Sequence, residues 1–228
     1  MGILKDKLFG SVDLGVYMAI NNNFLFIPRN TPPEKIEAFH KPFNNTTSDF
    51  SIVTTSINQS SLLGVYIATN SNGILVPSII SESELMEITE YSKTYDVHIE
   101  ILDSTDNALG NLILCNNYGC VISSELAENV KIIQEVLDVE VMILDYAQNK
   151  LPGSSGVTNN HGCCVHPLTS EKQAELIGEV LRVPVDVSTI NMGNPYVRAG
   201  SIVNDFGGIF GYDSSGPELM RISNVLNL

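Results

Sequence analysis

Apolar positions in this 228-residue chain come in short runs, and the same succession of runs returns five times. Continuous apolar runs at Leu25 to Pro28, Ile74 to Pro77, Cys120 to Ser123, Cys163 to His166 and Gly208 to Gly211 read as buried strands. Alternating, β-branched stretches at 52–57, 97–101, 139–143 and 183–187 read as strands with one solvated face. A helix lies between the two kinds of run. In the fourth copy Ala174, Ile177 and Leu181 recur three and four residues apart with Val180 beside them, a stripe that must pack on a sheet. Small hydroxyl residues and early acids mark each helix start, at Thr31 to Glu34, Ser81 to Glu84, Ser124-Glu125, Ser170-Glu171 and Ser215 to Glu218.

Glycines set the period. Leu14-Gly15, Leu63-Gly64, Leu109-Gly110, Pro152-Gly153 and Ala199-Gly200 follow one another at 49, 46, 43 and 47 residues. Six residues after the first four glycines stand Asn21, Asn70, Asn116 and Asn159, with Phe24, Gly73, Gly119 and Gly162 three further on. The fifth copy reads as a compressed version, Asn204-Asp205-Phe206-Gly207. Asn and Gly between apolar runs predict tight turns at positive φ, so each unit is expected to open with a hairpin. The fifth unit has no closing strand after its helix, whereas Ile3 to Phe9 precede the first unit without a helix of their own. An N-terminal strand that completes the fifth unit would close a ring and leave no unit with an unpaired edge. The expected fold is α/β: five pseudo-symmetric ββαβ-like repeats at about 14–61, 62–108, 109–151, 152–198 and 199–228, with 1–13 completing the last, in one domain over 1–228.

Composition narrows the function. Hydrophobic residues at 43% against 17% charged are globular proportions, and a net charge of −14 leaves few cations to cluster on phosphates. Lys5, Asp6 and Lys7 stand where a signal peptide would be apolar, and no apolar run approaches a membrane span, so a cytoplasmic protein is expected. The glycosylation-like triplets at Asn44, Asn45 and Asn58 are then not modified. Cys115, Cys120, Cys163 and Cys164 form no CxxC pair, and buried thiols are expected; Cys115 and Cys120 flank the third turn as potential cross-strand neighbours. Neither a metal nor a cofactor is expected, since His161 and His166, with the two cysteines between them, do not converge on one strand face. The Asn- and Ser-rich stretches Asn44 to Ser48 and Asn149 to Asn160 read as exposed loops.

Five such units in a ring are the pentein, or β/α propeller, architecture. Within it the chain resembles the archaeal-type translation initiation factor 6 family, through Leu14 to Tyr17, Ile67 to Pro77, Leu102 to Ser104 with Ala108 to Asn111, Val165 to Pro167, Val183 to Val187, Thr189 to Gly193, Pro195 to Val197 and Gly216 to Leu219. These segments span nearly the whole chain in the family's order. The resemblance implies a monomeric, non-enzymatic anti-association factor that binds the large ribosomal subunit, blocks joining of the small one and takes part in large-subunit maturation. The acidic charge points to docking on a basic ribosomal protein, with limited rRNA contact. The resemblance also implies that loops entering the repeats make the contact, through Asn58, Ser61, Leu63, Leu109, Asn111, Asn191 and Met192, with Asn111 foremost. The chain departs from the family pattern at Met192, where an arginine is usual, and at Asp106-Asn107, where a basic, apolar stretch is usual. Regulation through the long tail of eukaryotic members is not expected.

The rival expectation is an enzyme, because the same ring hosts guanidine-modifying enzymes that use a cysteine thiolate and a histidine. Cys164 and His166 would share one strand face, with Cys163 on the other. Against this, the equivalent positions in other units, Leu75 and Val121, are strand filler, and His98 with Glu100 lies on a closing strand.

Overall fold

In a computed structural model that describes residues 2–44 and 50–228, five units of one design surround a common axis. In the second unit a helical turn, Leu63–Tyr66, leads into an inner strand, Ala68–Thr69, a tight turn and a central strand, Gly73–Pro77. A helix, Glu82–Thr94, then returns the chain to an outer strand, His98–Leu102. The inner strand runs antiparallel to the central one, as a hairpin allows, and the outer strand runs parallel to it, as a helical crossover requires. The fifth unit borrows its outer strand from the N-terminus: Gly2–Asp6 pairs parallel with Gly207–Gly211 in register Gly2↔Gly207 to Asp6↔Gly211. The pentein ring closes as expected.

The units are not joined as expected. Each sheet is separate and three-stranded, so edges remain, although the inner edges are only two or three residues long and offer little to pair with. Neighbouring units share wedge-shaped cores instead. One wedge packs Phe24 and Phe26 of the first sheet against Ile74, Val76 and Ile88 of the second unit. Another packs Val157 and Cys164 of the fourth sheet against Phe210, Ile222 and Leu226 of the fifth.

Turn asparagines complete the joints. Positive φ, expected at these turns, lies elsewhere in the chain, because each asparagine shapes its turn through its side chain. Asn70 Oδ1 accepts from the N–H groups of Asn72 and Gly73, both at 3.0 Å, while its Nδ2 donates to Asn116 O at 3.0 Å and Leu137 O at 2.8 Å. The carboxamides run in a closed circle, Asn21 to Asn70 to Asn116 to Asn159 to Asn204 and back to Asn21. Leu137, Leu181 and Leu226, whose carbonyls receive the second bond, end the helices of the following units, where a backbone acceptor lacks an intrahelical donor.

Axial glycines make the second joint and correct the fifth repeat. A Cβ on Gly15, Gly64, Gly110 or Gly153 would lie 1.9 to 2.2 Å from a neighbouring unit's carbonyl oxygen. Gly64 meets Gly15 O, Gly110 meets Gly64 O, Gly153 meets Gly110 O, and Gly15 meets Arg198 O. The fifth member of this set is therefore Arg198, not Gly200, and Asn204 then follows it by six residues like its four counterparts. No compression is needed.

Three further expectations change in detail. Ser81, Ser170 and Ser215 form capping boxes, but the third unit is capped by Ser123 rather than Ser124. The first helix enters through Pro32-Pro33 with no side-chain cap, and Thr31 Oγ1 is unbonded among the described residues. The stretch 149–160 is not an open loop, because it contains the fourth helical turn, Pro152–Ser155, and inner strand, Gly156–Thr158, both largely buried. Its polar residues serve the joints, as Asn159 does. Of the other predicted loop, residues 45–48 lie outside the described residues.

Candidate functional site

The loops that enter the five helical turns occupy equivalent places in the ring and so share one face. Four are closed by an antiparallel bridge, Leu8↔Ser11, Ile57↔Ser60, Tyr146↔Asn149 and Ile190↔Asn194. At their tips stand Phe9-Gly10, Asn58-Gln59, Ala147-Gln148 and Asn191-Met192, all at positive φ, which side chains larger than glycine seldom adopt. Such a conformation persists only where the surroundings enforce it.

In two of the four loops a carboxylate provides that enforcement. Glu84, buried at the start of the second helix, accepts from the N–H of Asn58 and of Gln59, both at 2.9 Å, and from the Ser56 hydroxyl at 2.6 Å. Glu218 in the fifth unit accepts from the N–H of Met192 at 3.2 Å, from Gly193 at 2.9 Å and from the Thr189 hydroxyl at 2.8 Å. Both also take the reciprocal bond of their own capping box. Burial alone would raise these pKa values from 4.5, but the converging donors outweigh it and hold both at about 2. The fourth unit carries Gln173 at the matching position, and its carbonyl oxygen is spent on Ser170.

The predicted contact residues divide by exposure. Met192 is 79% exposed, the most exposed large apolar residue of the described chain, and Asn58 is exposed beside its clamp. Ser61 is half-buried, its hydroxyl directed at Asn30 Oδ1 at 3.4 Å. Leu63 and Leu109 are fully buried in wedge cores, where the Leu-Gly step anchors the helical turn, so they present no surface. Asn111 is half-buried and accepts from the Ser154 hydroxyl at 2.8 Å, tying two neighbouring turns together. Asn191 ties the fifth loop to the first, donating to Val12 O at 3.1 Å and accepting from the Ser214 hydroxyl at 3.1 Å. Three residues escape the sequence reading. Phe9 is exposed at the first tip and stacks edge-on against Tyr17. Glu84 and Glu218 are legible only as caps; the serine three residues before each was the available signal.

The face is acidic around the third loop, which has no bridge. Asp103 lines a groove of ≈ 550 Å³ together with Glu125 and Glu128, and Asp106 is exposed next to it. Lys150 pairs with Glu125 at 2.6 Å and offsets part of this charge.

Cys163, Cys164 and His166 do not form a nucleophilic site. Cys164 is fully buried and its thiol is pushed up to about 12, mainly by burial and secondarily by Asp186, so the thiolate is not available at neutral pH. Cys163, facing the other wedge, is shifted upward for the same first reason. His166 is 6% exposed, its pKa is lowered by burial, and its Nδ1 accepts from Leu168 N–H at 3.0 Å. His98 and Glu100 approach to 3.6 Å on an exposed outer strand of a different unit. Among the described residues no group of three or more His, Cys, Asp or Glu could hold a metal, and no helix is long and apolar enough to cross a membrane.

The sequence model of the eIF-6 family matches residues 3–225. Translation initiation factor 6 of Methanococcus maripaludis is 39% identical over 229 residues, 99% of either chain. The factor of the same name from Staphylothermus marinus is 34% identical over 228 residues, covering 100% of this chain and 98% of the relative. Among solved structures, DDAH from Pseudomonas aeruginosa complexed with citrulline aligns with a TM-score of 0.52 at 8% identity, over 79% of this chain and 71% of that one. That last likeness is one of fold alone, the pentein ring.

Proposed function

The chain belongs to the eIF-6 family, and on that footing we propose that it is a ribosome anti-association factor, which binds the large ribosomal subunit and sterically keeps the small subunit from joining. The observation that supports this most directly is the loop face, with tips pinned in strained conformations by Glu84 and Glu218 and exposed side chains held outward. A docking surface preorganised in this way loses little entropy on binding. Exclusion of a partner needs a rigid body in the right place and no bond-making, in keeping with the raised pKa of the Cys163 and Cys164 thiols. The partner on the subunit is a basic ribosomal protein rather than bare rRNA, because a net charge of −14 and the acidic groove at Asp103, Glu125 and Glu128 favour a cationic surface. The factor acts in the cytoplasm as a monomer, without a cofactor, and takes part in large-subunit maturation.

Sedimentation with separated archaeal subunits, followed by light scattering of subunit joining, tests the reading. Binding to the large subunit only, with loss of joining, is expected; failure to bind it, or unimpaired joining, would sink the proposal. Met192→Asn places a neutral residue that tolerates positive φ and removes the exposed apolar tip without adding charge, and should weaken binding by roughly tenfold. Raised salt should weaken binding as well, and salt-strengthened binding would exclude an electrostatic partner.

A further inference from the structure

The ring departs from its own repeat at two neighbouring positions. Four axial turns carry glycine where they meet the adjoining unit, and the fifth carries Arg198, in a turn that is 3₁₀ rather than α-helical. Three residues on, where three other units have Met18, Ile67 and Ile113, the fifth has Ser201. The fold is built without these polar groups in the other units, so closure of the ring does not explain them. Breaches of a local pattern with no structural return are characteristic of binding sites.

Both residues line one cavity of ≈ 40 Å³ on the ring axis, whose walls include Ala68, Leu114, Val157 and Ile202. Ser201 is 1% exposed and its hydroxyl has no hydrogen-bond partner among the described residues. Arg198 is half-buried, and its guanidinium likewise has no carboxylate or carbonyl partner among them; burial pulls its pKa down, an effect partly offset by the Cys115 sulfur, which lines the same cavity. The nearest axial carboxylate, Asp205, lies at another level, in the asparagine-lined mouth, and accepts from the side-chain amides of Asn22 and Asn160, each at 2.6 Å. Thr69 and Thr158 line both cavity and mouth, and their hydroxyls are already committed to Gly73 O and Gly162 O, each at 2.9 Å. A fork of guanidinium donors and a free hydroxyl therefore line one small space with no carboxylate in its walls. A buried hydroxyl such as that of Ser201 is costly unless something bonds to it.

We propose that the axial cavity is a binding site for a small inorganic anion of halide size, held by Arg198 and Ser201. The volume admits a few water-sized bodies, enough for one such ion and a companion water but too little for an organic phosphate. The ion neutralises Arg198 and ties the fifth unit, where the glycine pattern is broken, to its neighbours.

Bromide is the probe. In crystals grown in sodium bromide, an anomalous peak inside the cavity, within hydrogen-bond reach of Arg198 and Ser201, is expected; density for water alone, or bromide only on the outer surface, overturns the proposal. In solution, replacing sodium gluconate by sodium chloride at equal ionic strength should raise the thermal midpoint by about 4 °C near tenfold saturation. Arg198→Gly restores the residue found in the other four units, so it should fold, and its chloride response should vanish. Ser201→Ile should reduce the response while leaving the ring intact. An equal response in the wild type and Arg198→Gly, or no difference between the two salts, overturns the site even if bromide enters the crystal.

Discussion

A single asparagine in this ring carries four bonds, two that shape its own turn and two that fasten the next unit. Asn116 accepts from the N–H groups of Tyr118 and Gly119 at 2.9 and 3.0 Å and donates to Asn159 O and Leu181 O at 3.2 and 2.9 Å, at 5% exposure. Asn116→Ala leaves two carbonyls and two N–H groups in a site with little water, and should cost about 3 to 5 kcal/mol, read from the urea midpoint. A loss below about 1 kcal/mol would mean that water replaces the carboxamide and that the circle of asparagines is not what fastens the units. The same reasoning explains why the turns tolerate so much polarity near the axis: each amide is spent on a neighbour's backbone. Arg198 and Ser201 are the conspicuous exceptions.

Helix and loop are coupled in the second and fifth units, since one carboxylate both caps the helix and clamps the loop tip. Glu84 and Glu218 have folded pKa values near 2 against an ordinary 4.5, so their contribution is complete above about pH 5 and is lost as the pH falls toward 2. Glu84→Gln removes one clamp while leaving a cap of similar shape. It should destabilise the protein by about 2 kcal/mol at pH 7 and flatten the fall of stability between about pH 5 and 2, as read from denaturation at a series of pH values. Unchanged acid sensitivity in this variant would show that other carboxylates govern it. The loop tip should also become more exchangeable, because Glu84 offers one oxygen to each of the Asn58 and Gln59 N–H groups and glutamine has a single acceptor oxygen.

At the scale of the whole molecule the wedge cores make each unit depend on its neighbours, and the ring has no free end among the described residues except where the N-terminal strand completes it. Unfolding should therefore be a single calorimetric transition whose van't Hoff and calorimetric enthalpies agree. Deleting residues 2–6 uncovers the central strand Gly207–Gly211 along its whole length and opens the ring. That variant should lose cooperativity or associate through the exposed edge, seen as a broadened transition or a raised sedimentation coefficient. A sharp, unchanged transition in the deletion variant would show that the five units do not rely on closure.

The order of elements, the fivefold repeat and the role of the N-terminal strand were legible in the sequence, because apolar periodicity, cap residues and turn residues are local signals that each unit repeats. Placement of the fifth axial residue was not legible, since glycine at 200 mimics a spacing that only the approach of Arg198 O to Gly15 resolves. Nor could spacing separate Leu63 and Leu109, which are core, from Met192, which is surface: all three lie in or beside the loop segments, and burial depends on the adjoining unit. The double duty of Glu84 and Glu218 was hidden for a related reason, since a capping box is visible across three residues whereas the loop it clamps lies 25 or more residues away. Local sequence determined what each segment becomes. Only the closed ring decided which of its polar groups meet a neighbour's backbone, which meet solvent, and which, at Arg198 and Ser201, face a cavity with no protein partner among the described residues, because those outcomes are set by contacts between units far apart in the chain.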